Sequence, residues 1–327
     1  MSERALKRVT LLFGMALAVL PVKAALADTV KIAFSTWVGY GPFYVAAEEG
    51  YFKKNGVDVQ LIRMEDPKER FPTLMADRIQ MIASTVDTGL LYMKTPTEFQ
   101  YVVAIDDSDG GDGIVTKKDI TSLAELKGKK VAVDKGSVSE FYLADLLTKV
   151  GMNESELNLV NMTAADAGSA FVSGRVDAAV TWEPWLSRGK ATSFGHLLTD
   201  SSKTPGLITD VLIAKTDWIK AHPKEVAGIV KSWDEAVAFY EEHPDQAIPI
   251  MARGVGGWLK DPKEFKATLA GIKFYDAAGN KQFFGTPERP GPLEQTIAQA
   301  IKIWGDQGKL QVQPDPVQMM NFTFVNE

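Results

Sequence analysis

The stretch Val176–Trp185 joins a short apolar run to Trp182, Glu183, Pro184 and Trp185. An indole face beside a carboxylate suits an ammonium group or a planar nitrogen heterocycle. Pro184 lacks an N–H and stops strand pairing, so Trp182 and Glu183 are expected at the C-terminal edge of a buried strand, where open α/β sheets hold ligands. The same reasoning selects Trp37 and Tyr40 after a first strand, Thr85 and Asp87 after a third, and Asp210 on a returning strand. It also selects Asp106 and Asp112 from the acidic run Asp106, Asp107, Asp109 and Asp112. Ser137, with Lys135 and Gly136 before it, opens a long helix whose free N–H groups and dipole attract an anionic oxygen. No arginine stands in the expected strand-end loops. The acidic and aromatic set favours a cation and Ser137 an anion. A small zwitterion, or a neutral or cationic nitrogen compound, is therefore expected ahead of a simple anion.

Each of these residues also has a plainer use. Trp182 and Trp185 can simply pack, Asp87 can cap the following helix, and at least two of the four clustered carboxylates are expected to be solvated turn residues. The cluster does not read as a calcium loop: counted from Asp107, the sixth position is Asp112 rather than glycine and the twelfth is Lys118 rather than glutamate. Gly136-Ser137-Val138-Ser139-Glu140 is not a nucleophile elbow, and no phosphate-binding glycine loop or dinucleotide fingerprint is present. His196, His222 and His243 are scattered, two of them beside Pro223 and Pro244, so neither a metal site nor a histidine triad is expected. No cofactor is called for.

The elements that position these residues follow from periodicity. Thr29–Thr36, Val57–Met64, Met81–Ser84 and Phe99–Ile105 read as strands, with helices after Gly41, over Lys68–Asp77 and over Thr88–Lys94. After a glycine-rich connection over Asp106–Gly113 the pattern resets with strands at Ile114–Lys117, Lys130–Val133, Leu157–Asn161 and Val176–Thr181. Leu207–Ala214 reads as a strand returning to the first block. The rest is helical over Pro223–Tyr240, Ala247–Met251, Pro262–Leu269 and Leu293–Trp304, with short strands Ile272–Tyr275 and Gln282–Phe284 flanking a turn at Ala278-Gly279-Asn280. Alternating strands and helices predict α/β architecture with a parallel sheet.

Met1–Ala27 carries Arg4, Lys7 and Arg8, an apolar run from Val9 to Val19, and Ala25-Leu26-Ala27 as a small-x-small cleavage site, the pattern of a secretory signal peptide. Its removal takes four basic residues and one acidic residue, so the net charge of −6 becomes −9. Nucleic acid is an unsuitable partner for such a chain. The roughly 300 residues that follow, at 45% hydrophobic composition overall, suffice for two domains. With no cysteine there is no lipid-anchor site and no disulfide framework. A freely diffusing, monomeric periplasmic protein is expected.

The order strand, Trp37-Val38-Gly39-Tyr40-Gly41-Pro42-Phe43, helix with Ala46-Ala47-Glu48-Glu49-Gly50-Tyr51-Phe52, then Gly56-Val57-Asp58-Val59 resembles the opening of substrate-binding proteins of nitrate, sulfonate and taurine ABC importers. The same superfamily includes binders of thiamine pyrimidine precursors. Leu123–Lys130 leading into Val131-Ala132-Val133, Gly174–Ala179 and Trp182-Glu183-Pro184 extend the resemblance over essentially the whole chain after the leader. It implies the two-lobed periplasmic binding protein fold of type II, with two crossing strands as hinge, closing on a small molecule and delivering it to a membrane permease. The segmentation above accommodates lobes at 28–113 plus 209–327 and at 114–208. The alternative from another class is an exported enzyme on the same fold, either a pyrimidine-precursor synthase or a carboxylate-dependent hydrolase. A sensor subunit presenting its ligand to a receptor would use the same lobes.

Overall fold

The computed structural model describes residues 29–326. The expected leader lies outside the described residues. Apolar runs bounded by turn formers become the strands β1 (Val30–Phe34), β2 (Val59–Arg63), β3 (Met81–Thr85), β4 (Phe99–Ser108), β5 (Asp112–Lys117), β6 (Lys130–Val133), β7 (Asn158–Asn161), β8 (Ala178–Trp182), β9 (Gly195–Asp200), β10 (Thr209–Lys215) and β11 (Ile272–Phe274). They build two main sheets, ordered β11-β4-β10-β3-β1-β2 and β7-β6-β8-β5-β9. Helices cover the faces of each, which gives the two-lobed periplasmic binding protein fold.

The sheets are mixed rather than parallel, which corrects the sequence reading. β1 runs parallel to β2 and β3, but β10 pairs antiparallel with both β3 and β4. In the second sheet β6 is parallel to β7 and β8, whereas β5 is antiparallel to β8 and β9. β5 and β10, each the first strand after a crossing, are antiparallel to their neighbours, and so is the edge strand β11 to β4. β4 passes into β5 through the tight turn Asp109–Gly111, so the expected glycine-rich connection over Asp106–Gly113 is mostly strand. Asp106–Ser108 close β4, and Asp112 with Gly113 open β5. The chain returns from β9 to β10 beside it. Serine hydroxyls tie the two crossings: Ser108 Oγ lies 2.8 Å from Ser201 Oγ, and Gly110 N donates to Ser201 Oγ at 2.8 Å.

Two further differences have local causes. Ala277–Phe284 is a helix, not a turn followed by a strand; Asp276 caps it by accepting from Gly279 N at 2.6 Å. Asn280, read as a turn former, is buried and uses its amide on the backbone of β4, accepting from Ala104 N at 2.8 Å and donating to Ala104 O at 3.0 Å. Helix Trp185–Lys190 and β9 lie where the sequence pattern predicts no element. The helix-rich end covers the first sheet: Trp233, on the apolar face of helix Pro223–Glu242, meets Phe43 at 4.9 Å between ring centroids.

Candidate functional site

Strand register places the selected residues in two rows. Asp210, the second residue of β10, stands between Thr85 at the end of β3 and Asp106 near the end of β4. Asp112, opening β5, pairs with Trp182 at the end of β8. The two rows belong to different sheets, and between them lies a narrow cavity. The first lobe lines it with Ser35 and Trp37 after β1, Tyr40, Ser84 and Thr85 of β3, Thr88 and Asp210. Helix Pro67–Met75 adds Pro67 and Arg70. The side of the second sheet supplies Asp112 at the start of β5, with Ser137, Val138 and Trp182.

Seven of the ten sequence-selected residues therefore line one cavity: Trp37, Tyr40, Thr85, Asp112, Ser137, Trp182 and Asp210. The other three stand behind the wall. Asp106 accepts from the Trp37 indole N–H at 3.1 Å and so sets the ring that faces the cavity. Gly39 leaves room for that pair, since a Cβ there would come within 2.2 Å of both Trp37 Nε1 and an Asp106 carboxylate oxygen. Glu183 turns away to cap helix Trp185–Lys190, accepting from Ser187 N at 3.0 Å and Ser187 Oγ at 2.6 Å, with Lys190 at 3.4 Å. Asp87 is buried in the first turn of helix Val86–Leu91, where Thr85 rather than Asp87 holds the N-cap position.

Burial dominates the electrostatics. Asp210 is pushed up to about 7 by desolvation, partly offset by the Tyr40 hydroxyl that donates to it and by the Arg70 charge. Asp106 and Asp112 are raised by desolvation first, with Asp210 adding like charge to each. Asp87 is likewise raised to about 7 by burial. Arg70 is 4% exposed and burial lowers its pKa. Its Nη1 donates to Met64 O at 2.8 Å, while Nε has no hydrogen-bond partner among the described residues. A buried guanidinium with an unspent donor on a cavity wall is poised for an anionic oxygen.

Arg70, Ser35, Ser84 and Thr88 are the lining residues that strand-end reasoning missed. Arg70 carried a readable signal: it precedes Leu74 by four residues and adjoins Phe71, on the inward face of its helix. The Ser137 region offers less than expected. Lys135 N donates to Asn161 Oδ1 and Gly136 N to Glu140 Oε2, each at 2.9 Å, and the Ser137 hydroxyl caps its own helix by accepting from Ser139 N. Among the described residues no cluster of three or more histidine, cysteine or carboxylate side chains is arranged to hold a metal ion. Among them, too, no helix is long and apolar enough to cross a membrane.

A cavity at strand ends between two sheets, bridged by two crossing strands, is the geometry the sequence resemblance implied. The family described as NMT1/THI5 like matches residues 37–247. The chain belongs to this family. A Bacillus subtilis (strain 168) relative that carries the name of an aliphatic sulfonates-binding protein is 27% identical over 217 residues, 64% of this chain and 65% of that one. The taurine-binding periplasmic protein of Escherichia coli (strain K12) is 27% identical over 213 residues, 61% of this chain and 62% of its own length. The chain thus spans just under two thirds of these two relatives. In three dimensions it resembles the periplasmic aliphatic sulphonate binding protein SsuA from Escherichia coli with a TM-score of 0.72, at 17% identity, over 91% of this chain and 99% of the other.

Proposed function

We propose that this protein is the periplasmic solute-binding component of an ABC importer, released by cleavage of its leader. It captures a small polar compound containing nitrogen or sulfur between its lobes and presents it to an inner-membrane permease, without chemical turnover. The lobes are residues 28–113 plus 209–327 and residues 114–208, and the protein acts as a monomer. Zwitterions and amines are the favoured ligands, with taurine (itself a zwitterion) and other sulfonates next.

The observation that carries this reading is the gathering of a buried guanidinium and two buried carboxyl groups around one cavity. Arg70 offers a guanidinium donor, while Asp112 and Asp210 offer carboxylates, and Trp37, Tyr40 and Trp182 supply aromatic faces. A ligand bearing one positive and one negative end satisfies both, and a simple anion leaves buried carboxylates unpaired, which is costly. Arg70 adds weight to the zwitterion over the plain amine. The sheet membership of the strands supports the lobe assignment, and the names of the relatives support transport.

The test is a thermal-shift screen of the leader-free protein against amines, zwitterions, sulfonates, carboxylates and pyrimidines, followed by calorimetry on each hit and recovery of the compound afterwards. A ligand that binds only the native state raises the melting temperature by mass action. Stabilisation by zwitterions, with the compound recovered intact, is the expected result. Stabilisation by simple anions alone would overturn the ligand class. Consumption of the compound would favour the enzyme alternative.

A further inference from the structure

The second-lobe wall of the cavity is held from the first lobe by a clasp that the binding reading does not use. Lys309 follows helix Pro292–Asp306, and its backbone N donates to Trp304 O at 3.0 Å. Its ammonium reaches into the other lobe, 3.1 Å from Glu140 Oε1 and 3.4 Å from Glu154 Oε1, and lies 5.0 Å from the Trp304 ring centroid. The side chains of Lys309, Glu140 and Glu154 are 28%, 6% and 22% exposed, so solvent screens these pairs only in part. Glu140 spends its second oxygen on Gly136 N at 2.9 Å, one residue before the cavity-lining Ser137. Two more first-lobe groups grip the same loop: Tyr92 Oη donates to Gly136 O at 3.2 Å, and Lys68 pairs with Asp134 at 3.6 Å. Every one of these bonds joins protein to protein, so none needs ligand atoms to form.

We propose that Lys309 is a positioning residue for the site. Through Glu140 it sets the Asp134–Ser137 loop, and with Tyr92 and Lys68 it gives the closed arrangement of the lobes a population of its own before ligand arrives. A binding-competent state populated in advance raises apparent affinity in proportion to that population. The proposal rests on the solute-binding reading, but its test requires no ligand.

The chain has no cysteine, so Ala298→Cys on helix Pro292–Asp306 and Val150→Cys, at an exposed position beyond helix Val138–Lys149, give a clean pair of spin-label sites. Electron–electron distance measurements on the ligand-free, leader-free protein should show a shorter-distance population beside a longer one. Lys309→Gln should lower the shorter population roughly fivefold, as expected for a partly buried ion pair, and Glu140→Gln should match it. Lys309→Arg should restore it, and high salt should lower it in the parent but not in Lys309→Gln. The melting temperature of ligand-free Lys309→Gln should stay near that of the parent; if it falls, Glu140→Gln decides. A parent protein with no shorter-distance population, or populations that neither glutamine variant moves, overturns the proposal. Failure of the ligand screen leaves this readout intact, so the two readings fail separately.

Discussion

The indole N–H of Trp182 donates to the backbone carbonyl of Thr36 at 2.9 Å, tying the last residue of β8 in one sheet to the segment that leaves β1 in the other. The same residue lines the cavity, so Trp182 both bridges the lobes and faces the cavity. Trp182→Ala removes both roles and should weaken binding by about tenfold or more; Trp182→Phe keeps a ring and loses one hydrogen bond, worth about 1 kcal/mol, and should cost about fivefold. Calorimetric titration with the best compound from the screen checks this. Equal affinity in all three proteins would place the ligand elsewhere.

Glu183 adjoins Trp182 in sequence but has a different task. Its side chain is 4% exposed and is occupied by Ser187 in the first turn and Lys190 at the end of helix Trp185–Lys190. Glu183→Gln keeps the shape and loses the charge, so the expected cost is stability, about 1 kcal/mol, as for a lost helix cap. A melting temperature lowered by a few degrees with affinity within about threefold of the parent is the expected pair of results. A large loss of affinity at unchanged stability would return Glu183 to the binding wall.

The contrast between these neighbours shows what the sequence makes legible. Apolar runs and their terminators locate strand ends, and strand ends carry ligand sites, so Trp37, Thr85, Asp112, Trp182 and Asp210 could be found without coordinates. Which way a strand-end side chain turns depends on partners far away in the chain, and periodicity says nothing about them. Glu183 is claimed by Ser187, and Asp106 by Trp37 at a separation of 69 residues. Strand direction was lost for a related reason: a strand that crosses between sheets has the same composition whether it runs with its neighbours or against them. Gly279 and Asn280 read as turn formers because the bare β4 backbone that Asn280 satisfies lies 176 residues away.

Arg70 makes the most direct prediction about ligand charge. Its guanidinium is buried, spends Nη1 on Met64 O and leaves Nε without a hydrogen-bond partner among the described residues, in a side chain that lines the cavity. Arg70→Gln should reduce the affinity for a ligand bearing a sulfonate or carboxylate by about a hundredfold, the scale of a lost charge-assisted hydrogen bond. Arg70→Lys should not restore it, because an ammonium lacks the planar fork. Binding of a plain amine of the same size should change little or tighten. Unchanged affinity for both ligands in Arg70→Gln would remove Arg70 from the site.

Asp210 predicts how stability and affinity depend on pH. Burial, partly offset by the Tyr40 hydrogen bond and the Arg70 charge, raises its folded-state value to about 7, against about 3.9 in an unfolded chain. Below about pH 4 the group is protonated in both states and the stabilisation is fully present. Between about 4 and 7 the native state binds more protons than the unfolded one, so stability falls as pH rises, by up to about 1.4 kcal/mol per unit for each such group. Above 7 this contribution is gone. Asp87, also raised to about 7, adds to the same slope. Urea unfolding of the ligand-free protein across this range should show the decline, and Asp210→Asn should flatten it and be the more stable protein at pH 8. Binding has the opposite sign for a ligand with an ammonium end: the cation favours ionised Asp210, a proton leaves on binding, and affinity climbs with pH until about 7. Calorimetry in buffers of different ionisation enthalpy counts that proton. An affinity that falls with rising pH, with protons taken up, would mean that the ligand brings a negative group to Asp210 and that Arg70 alone sets the charge of the site.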